Sequence, residues 1–560
     1  MGNSTNSKLV SRMYGGFRGC DFRGEEVRLD RSPDCLNVWK NYKQTDSIET
    51  RPELELKFSF DASVYGMFFY RNELIVHSGG TLYRVAESGN TALYTGLNER
   101  VSSSFVYEDI FYFKDGRHYL RYDGTEIGPV EGYVPTTSIG RNPAGGGTPH
   151  EDVNMLTGRR INTFLSDGTS RDFFLDSRNI DRDFAPIVKV DGEAVSNYTV
   201  DYAAGKITFS DIPSLPLTDG QDNVSVEFCK TIDQYRENIL NCTLLQVFDN
   251  RVFFSGNPDY PNVVWHCGLN DPSYCSDLDY YREGMDGGTV RGLVAGNNAL
   301  WVFREPSDAN TNVFYHTPTL DDQYGKIYPS THSSVTTGCI GKAINFNDDI
   351  VFFSPRGMEG ISGDVTTEQA VAHRSSLVDR KMTAEENYRD MLLEEWEGYL
   401  LVFLGEHVYL ADSRAVFTKD NHFEYEWYYW QLNRKVTSTR VRDGVLYLGT
   451  EDGVYTLTDG QSNVVSYWTT PKDNFKYPHK LKTTNKRGCV AEATGDVSVY
   501  AKLEDTDFQL VGSYENVTDY FVSRIKRKKF KDIQLQFYSM SRFRLETVTL
   551  QAFIGGFIKR

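Results

Sequence analysis

No stretch of this chain stays apolar for the roughly eighteen residues that a membrane-crossing helix needs, and the opening MGNSTNSKLVSRMYGG lacks the apolar core of a secretory signal. Met1-Gly2 begins like a myristoylation signal, yet Asn6 stands where that signal requires Ser or Thr. Synthesis and folding in a host cytosol, without membrane insertion, is the expectation. The eight cysteines (Cys20, Cys35, Cys229, Cys242, Cys267, Cys275, Cys339, Cys489) include no CxxC pair, so free thiols are expected. His266-Cys267 with Cys275 comes nearest to metal-ligand spacing and remains too sparse for a site. HExxH, Walker and GxSxG motifs are missing and the ten histidines are dispersed, which argues against metal-dependent and nucleophilic hydrolysis. We expect no catalytic residue, no metal and no cofactor. Methionine is scarce too, 9 residues against 35 Tyr and 34 Phe, a balance that favours strands over helices.

What the chain does have is a repeat. Seven times a polar dipeptide is followed at once by an aromatic-rich strand, a short turn and another strand: Arg71-Asn72, Glu108-Asp109, Asp249-Asn250, Asn297-Asn298, Asn347-Asp348, Glu397-Gly398 and Asp443-Gly444. Counted on the second residue of each pair, the gaps are 37, 141, 48, 50, 50 and 46. A period in the forties with several strands per unit predicts an all-β β-propeller of about seven to eight blades, because one four-stranded blade cannot bury both apolar faces alone. A meandering β-sandwich with chance hairpins competes, since sandwiches also place Asn, Asp and Gly between strands.

The long gap holds a different pattern. Val188/Val190, Tyr198/Val200/Tyr202, Ile207/Phe209 and Val224/Val226/Phe228 alternate with a period of two, and Asp167-Gly168, Asp191-Gly192 and Ala204-Gly205 punctuate them. This predicts an inserted β-sandwich over 151–232, with Gly145-Gly146-Gly147 as a linker rather than a phosphate loop, since Thr148-Pro149-His150 follows. The N-terminal segment and first blades then occupy 1–150 and the remaining blades 233–463. A polar stretch near 364–395, rich in helix formers and free of Gly and Pro, predicts a helix on the propeller rim. Residues 464–560 read as a C-terminal β-sandwich for docking.

Charge divides the chain in the same place. Residues 464–560 hold 17 Lys/Arg against 10 Asp/Glu, a balance of +7, and the rest carries −24 of the total −17. Arg524, Lys526, Arg527, Lys528, Lys529 and Lys531 lie in a strand-like run, where alternation would send them to both faces. Docking of an acidic partner ranks ahead of protection of a sheet edge, and both rank ahead of a nucleic-acid footprint. A chain that grips DNA needs cations at the phosphates, and −24 on the larger part suits DNA that slides past instead.

GCDFRGEEVRLDRSPDCLNVWKNYKQTDSIETRPE, with Asn37-Val38 and Arg51-Pro52, and FDNRVFFSGNPDYPNVVWHCGLNDPSYCSDLDYY resemble the N-terminal segment and one of the blades of the tail nozzle, or hub, proteins of tailed bacteriophages, the short-tailed ones in particular. TVRGLVAGNNALWVFRE and GCIGKAINFNDDIVFFSPRGMEGISG look like the next two blades; NMLTGRRINTFLSDGTSRDFFLDSRNI resembles a sandwich module of virion proteins, and YWTTPKDNFKYPHKLK the start of the closing sandwich. The chain departs from the family at His266-Cys267, where a Ser is usual. The resemblance implies a structural virion protein in the tail: a homo-oligomeric ring, commonly a hexamer, below the portal and its adaptor. It would extend the channel, help retain packaged DNA, conduct it at ejection and carry fibres or a tip. Genomic DNA would pass without sequence-specific binding. An acidic channel wall would repel a duplex bearing a charge every ~1.7 Å, and only within about 8 Å of that wall at physiological salt.

The alternative is a tail protein that binds or hydrolyses glycans. Asp271, Asp277, Asp279 and Glu283, interleaved with Tyr274, Tyr280 and Tyr281, form an acidic, aromatic cluster suited to a sugar, for which a hydrolase needs two carboxylates. No Ser-x-Asp-x-Gly box accompanies it, and no Trp-Asp signature supports a cellular scaffold of the WD40 type.

Overall fold

In the computed structural model, which describes residues 8–24, 27–43, 47–308, 311–322, 325–361, 370–419, 421–459, 463–526 and 528–557, all seven dipeptides take positive φ at both residues, from 46° to 77°. Each closes a two-residue hairpin, as the pairings Tyr70↔Glu73, Phe248↔Arg251 and Arg442↔Val445 illustrate. Two successive left-handed residues define the type I′ turn, whose twist matches the strands it joins, which is why Asn, Asp and Gly recur there. The repeat is therefore one backbone requirement met seven times.

Seven four-stranded sheets follow from it, over 64–95, 103–129, 244–282, 290–332, 343–373 and 392–431, and over 436–458 together with Glu53–Ser59. From blade 1 through blade 5, and from blade 6 through blade 7 back to blade 1, the first strands of neighbouring sheets pack side by side, so these line the axis. Closure uses chain ends: Glu53–Ser59 pairs antiparallel with Gly453–Thr458 as the outermost strand of blade 7. Separate apolar clusters fill the wedges between blades, such as Phe68, Phe111 and Phe113 between blades 1 and 2, and Phe303 against Phe352 between blades 4 and 5. Ring pairs of this kind add ~0.5–1.5 kcal/mol beyond burial.

The insert folds as two sheets, one of six strands that begins at Thr136–Arg141 and one of three, around Phe164, Phe173, Ile207, Phe209, Val226 and Phe228. Gly145-Gly146-Gly147 is not a linker ahead of it. The triplet turns between Thr136–Arg141 and Thr148–Pro149 inside the insert, at φ of 115°, 82° and 96°, and a Cβ on Gly147 would lie 2.9 Å from the Ile139 carbonyl.

Among the described residues the predicted rim helix is not formed. Residues 362–369 lie outside the described part; beyond them Val371–His373 is the outer strand of blade 5, Asp379–Met382 a single helical turn, and Leu392–Trp396 already the first strand of blade 6. Strand pairing and the burial of Leu377, Val378, Met382, Tyr388 and Met391 override local helix propensity.

The last hundred residues build a sheet around the 24-residue strand Lys480–Leu503 and the 15-residue strand Phe543–Phe557. N-terminal strands complete it: Lys8–Gly15 pairs with Phe543–Phe557, and Cys35–Leu36 with Ser466–Thr469. Its core runs without a break into blade 6 through Phe17, Trp39, Trp427 and Trp468. Arg31 seals the junction with two bonds to Glu426, at 2.9 and 2.6 Å, both residues being buried.

Candidate functional site: two cationic cavities and an acidic cluster

The run from 524 to 531 does not send its cations to two faces as strand alternation would. Between the strands Tyr520–Ser523 and Lys529–Phe530 the backbone is irregular, so Arg524, Lys526, Lys528, Lys529 and Lys531 are all exposed while Ile525 and Phe530 enter the core. Arg527 lies outside the described residues. Arg524, Lys526, Lys528 and Lys529 line a cavity of about 330 Å³ with Leu510 and Glu504 on its walls. The Lys531 N–H donates to the Glu504 carboxylate at 3.0 Å, which holds the end of the run against that wall.

The residues grouped as a glycan cluster divide into four settings. Asp277 accepts from the Tyr235 hydroxyl at 3.2 Å, and burial raises its carboxyl. Burial, reinforced by Asp152 and Asp277 and opposed by Arg251, pushes Asp279 up to about 6. Asp152 belongs with this pair although the sequence reading passed over it; the Ser276 hydroxyl donates to it at 3.4 Å. Asp271 instead caps its own turn, accepting from the Ser273 N–H and hydroxyl at 2.9 and 2.7 Å. Glu283 is fully buried, 2.8 Å from His316 Nε2, and accepts from the Ser330 hydroxyl at 2.6 Å, a strap between blades 3 and 4. The Tyr281 hydroxyl accepts from the Tyr328 N–H at 3.1 Å, whereas Tyr280 is exposed beneath Arg282. His266 is buried and its imidazole is pulled down to about 4 by desolvation. Among the described residues no group of three or more His, Cys, Asp or Glu could hold a metal.

The N-terminal motifs meet each other. Asn37, at φ 55°, accepts at its Oδ1 from Arg51 Nε at 3.0 Å and from the Gln431 N–H at 2.8 Å, so Asn37-Val38 and Arg51-Pro52 together fasten the entry segment to the end of blade 6.

A second cationic cavity lies on the axis, and no sequence motif announced it. About 820 Å³ opens where the first strands begin, with walls that include Arg100, Arg291, Lys342, Arg389, Lys435 and Asp390. The signal was there in dispersed form: these cations fall five to eight residues ahead of Glu108, Asn297, Asn347, Glu397 and Asp443, the first residues of five turn pairs. Arg291 and Arg389 share Glu305, at 3.4 and 3.6 Å. Arg100, Lys342 and Lys435 have no hydrogen-bond or ion-pair partner for their side chains among the described residues. A uniformly acidic bore is therefore not what the propeller axis contains.

No protein-family model matches the chain, and no curated protein does. Among solved structures it is similar to BamB from Moraxella catarrhalis, at 9% identity and TM-score 0.34 over 80% of this chain and 97% of the other. Hsv2 of Kluyveromyces lactis is similar at 8% identity and TM-score 0.31, over 81% and 99%. An exo-β-1,3-galactanase from Phanerochaete chrysosporium follows at 8% identity and TM-score 0.21, over 56% and 94%. At such values the likeness carries no functional argument, and the fold assignment stands on the blades themselves.

Proposed function

We propose that this chain is a structural protein of a viral tail, a hub or nozzle whose copies form a ring, on the pattern of a hexamer, below a portal and its adaptor. The observation that carries the reading is the joint module of N- and C-terminal strands. Two of the segments that resemble tail nozzles, the N-terminal one and the one that opens the closing sandwich, converge there, and its exposed cations Arg524, Lys526, Lys528, Lys529 and Lys531 belong to a +7 tail set against a body of −24. A ring needs heterologous contacts that close, and a basic face on one copy meeting an acidic face on the next supplies direction as well as attraction. In this reading the DNA conduit lies between copies, because the cavity on the propeller axis holds about 820 Å³, the space of a small ligand. The inserted sandwich remains available to fibres or a tip, and the reading assigns no catalysis.

Electron microscopy of the purified protein, alone and with a portal–adaptor complex, tests this. Closed rings that Lys526→Glu/Lys528→Glu disperses are expected; a monomer at every concentration that never joins the portal would sink the proposal.

A glycan-directed role is the second reading, and the raised carboxyls of Asp277 and Asp279 favour it, since a general acid must keep its proton near neutral pH. Hydrolysis of bacterial surface glycans that Asp279→Asn abolishes would establish it.

A further inference from the structure

We infer that the axial cavity is a binding site for a compact polyphosphate-type anion, independently of whether the chain serves in a tail. Five segments from different parts of the ring bring Arg100, Arg291, Lys342, Arg389 and Lys435 to one space of about 820 Å³, with Asp390 as the carboxylate on its wall. Three of these cations have no hydrogen-bond or ion-pair partner for their side chains among the described residues, while Arg291 and Arg389 share the one carboxylate of Glu305. Lys342 is half-buried, and burial lowers its affinity for the proton, so its ammonium is held at a cost that a bound anion would offset. Carboxylates do close on cations elsewhere in this molecule, as Glu426 does on Arg31 and Asp349 on Arg374. Here Glu305 reaches Arg291 and Arg389, and no carboxylate pairs with Arg100, Lys342 or Lys435 among the described residues, although the chain has 77 to draw on.

The charge count selects the ligand. A single carboxylate would leave most of these cations unmatched, whereas two or three linked phosphates carry several charges and many acceptor oxygens in a small volume. Sugars are read largely through flat apolar faces, and Tyr65 is the one aromatic residue on these walls. The volume lies within the range of small-ligand pockets.

Isothermal titration of the full chain with sodium tripolyphosphate tests the assignment, with digalacturonate and a short oligothymidylate as comparison probes. One site per chain is expected, preferring tripolyphosphate, weakening as salt rises, and losing at least tenfold in affinity in Lys342→Gln and again in Arg100→Gln/Lys342→Gln. Lys526→Gln/Lys528→Gln, in the other basic cavity, should leave it unchanged. Absence of binding at millimolar tripolyphosphate would overturn the inference. Equal or tighter binding of digalacturonate or oligothymidylate would do so too, as would loss of the site only in the Lys526/Lys528 variant. Thermal unfolding of Lys342→Gln at or above the temperature of the unsubstituted chain separates a lost ligand contact from a lost fold.

Discussion

At the end of the axis where the first strands turn back, six carboxylates (Glu108, Asp109, Asp249, Asp348, Glu397 and Asp443) stand against the one guanidinium of Arg71. At the end where those strands begin, five cations stand against Asp390 and the Glu305 that Arg291 and Arg389 share. The first set follows from turn geometry: left-handed positions favour Asn, Asp and Gly, and Asp brings its charge along. The fold compensates much of it, with Arg71 on Asp109, Lys326 on Asp249 at 2.7 Å, Lys43 on Glu397 at 2.5 Å and Arg442 on Asp443 at 3.3 Å. No turn requires the second set, and most of it is left unpaired. Charge that the backbone demands is neutralised nearby, and charge that the backbone does not demand, left open in a cavity, is what marks a site.

The comparison assumes a closed ring, and Arg31→Ala strikes at closure. Without Arg31, buried Glu426 would keep only the half-exposed Arg18, 3.4 Å away, and the entry segment that leads to the closing strand would lose its anchor. A loss of about 3 kcal/mol, the low end for breaking a buried pair, is expected in denaturant unfolding.

A cation held by two carboxylates contrasts with the unpaired ones. His373 lies 2.6 Å from Asp379 and 3.3 Å from Glu359; burial pulls its pKa down, but these two acids outweigh it and raise the imidazole to about 9. Because the folded state binds this proton more tightly than the unfolded chain, the stabilisation is complete below about pH 6.5 and is lost as pH rises through about 9. His373→Gln should remove that dependence, worth about 3 kcal/mol at its fullest, in unfolding measured from pH 5 to 10. Lys342 has the opposite sign: its lowered pKa means the penalty of its charge fades as pH climbs toward that of free lysine, and Lys342→Gln should flatten that rise.

The acidic end can be tested through the backbone alone. Gly444 sits at φ 77° with open space around a would-be Cβ, so Gly444→Val should cost ~1–2 kcal/mol through left-handed strain, without any clash. Asp443→Asn keeps the turn chemistry and should leave the melting temperature nearly unchanged. The smallest effect on stability is expected at the contiguous basic run: Lys526→Glu/Lys528→Glu should shift unfolding by no more than about 0.5 kcal/mol, while dispersing rings and sparing tripolyphosphate binding.

The turns were legible because each is decided by neighbouring residues. Seven dipeptides predict seven hairpins, and the period-two alternation of Val224, Val226 and Phe228 predicts the inserted sheet. The stretch near 364–395 misled for the complementary reason, since helix propensity is local and the pairing of Val371–His373 with blade 5 is not. The run at 524–531 was visible as charge, yet its common face was not, because alternation holds only where a strand is formed. Asp277 and Asp279 were found as neighbours in sequence, but Asp152 joins them only across the fold.

By itself the order of residues determined the repeat, a propeller of about seven to eight blades, the insert and the split between an acidic body and a basic tail, since these rest on turn conformation, side-chain period and composition. Only the tertiary structure decided that Glu53–Ser59 closes the ring, that both chain ends share one sheet, and that five cations spread between residues 100 and 435 face one cavity. Such contacts join residues hundreds of positions apart, and no short-range preference encodes them; the closure of the ring brings them together.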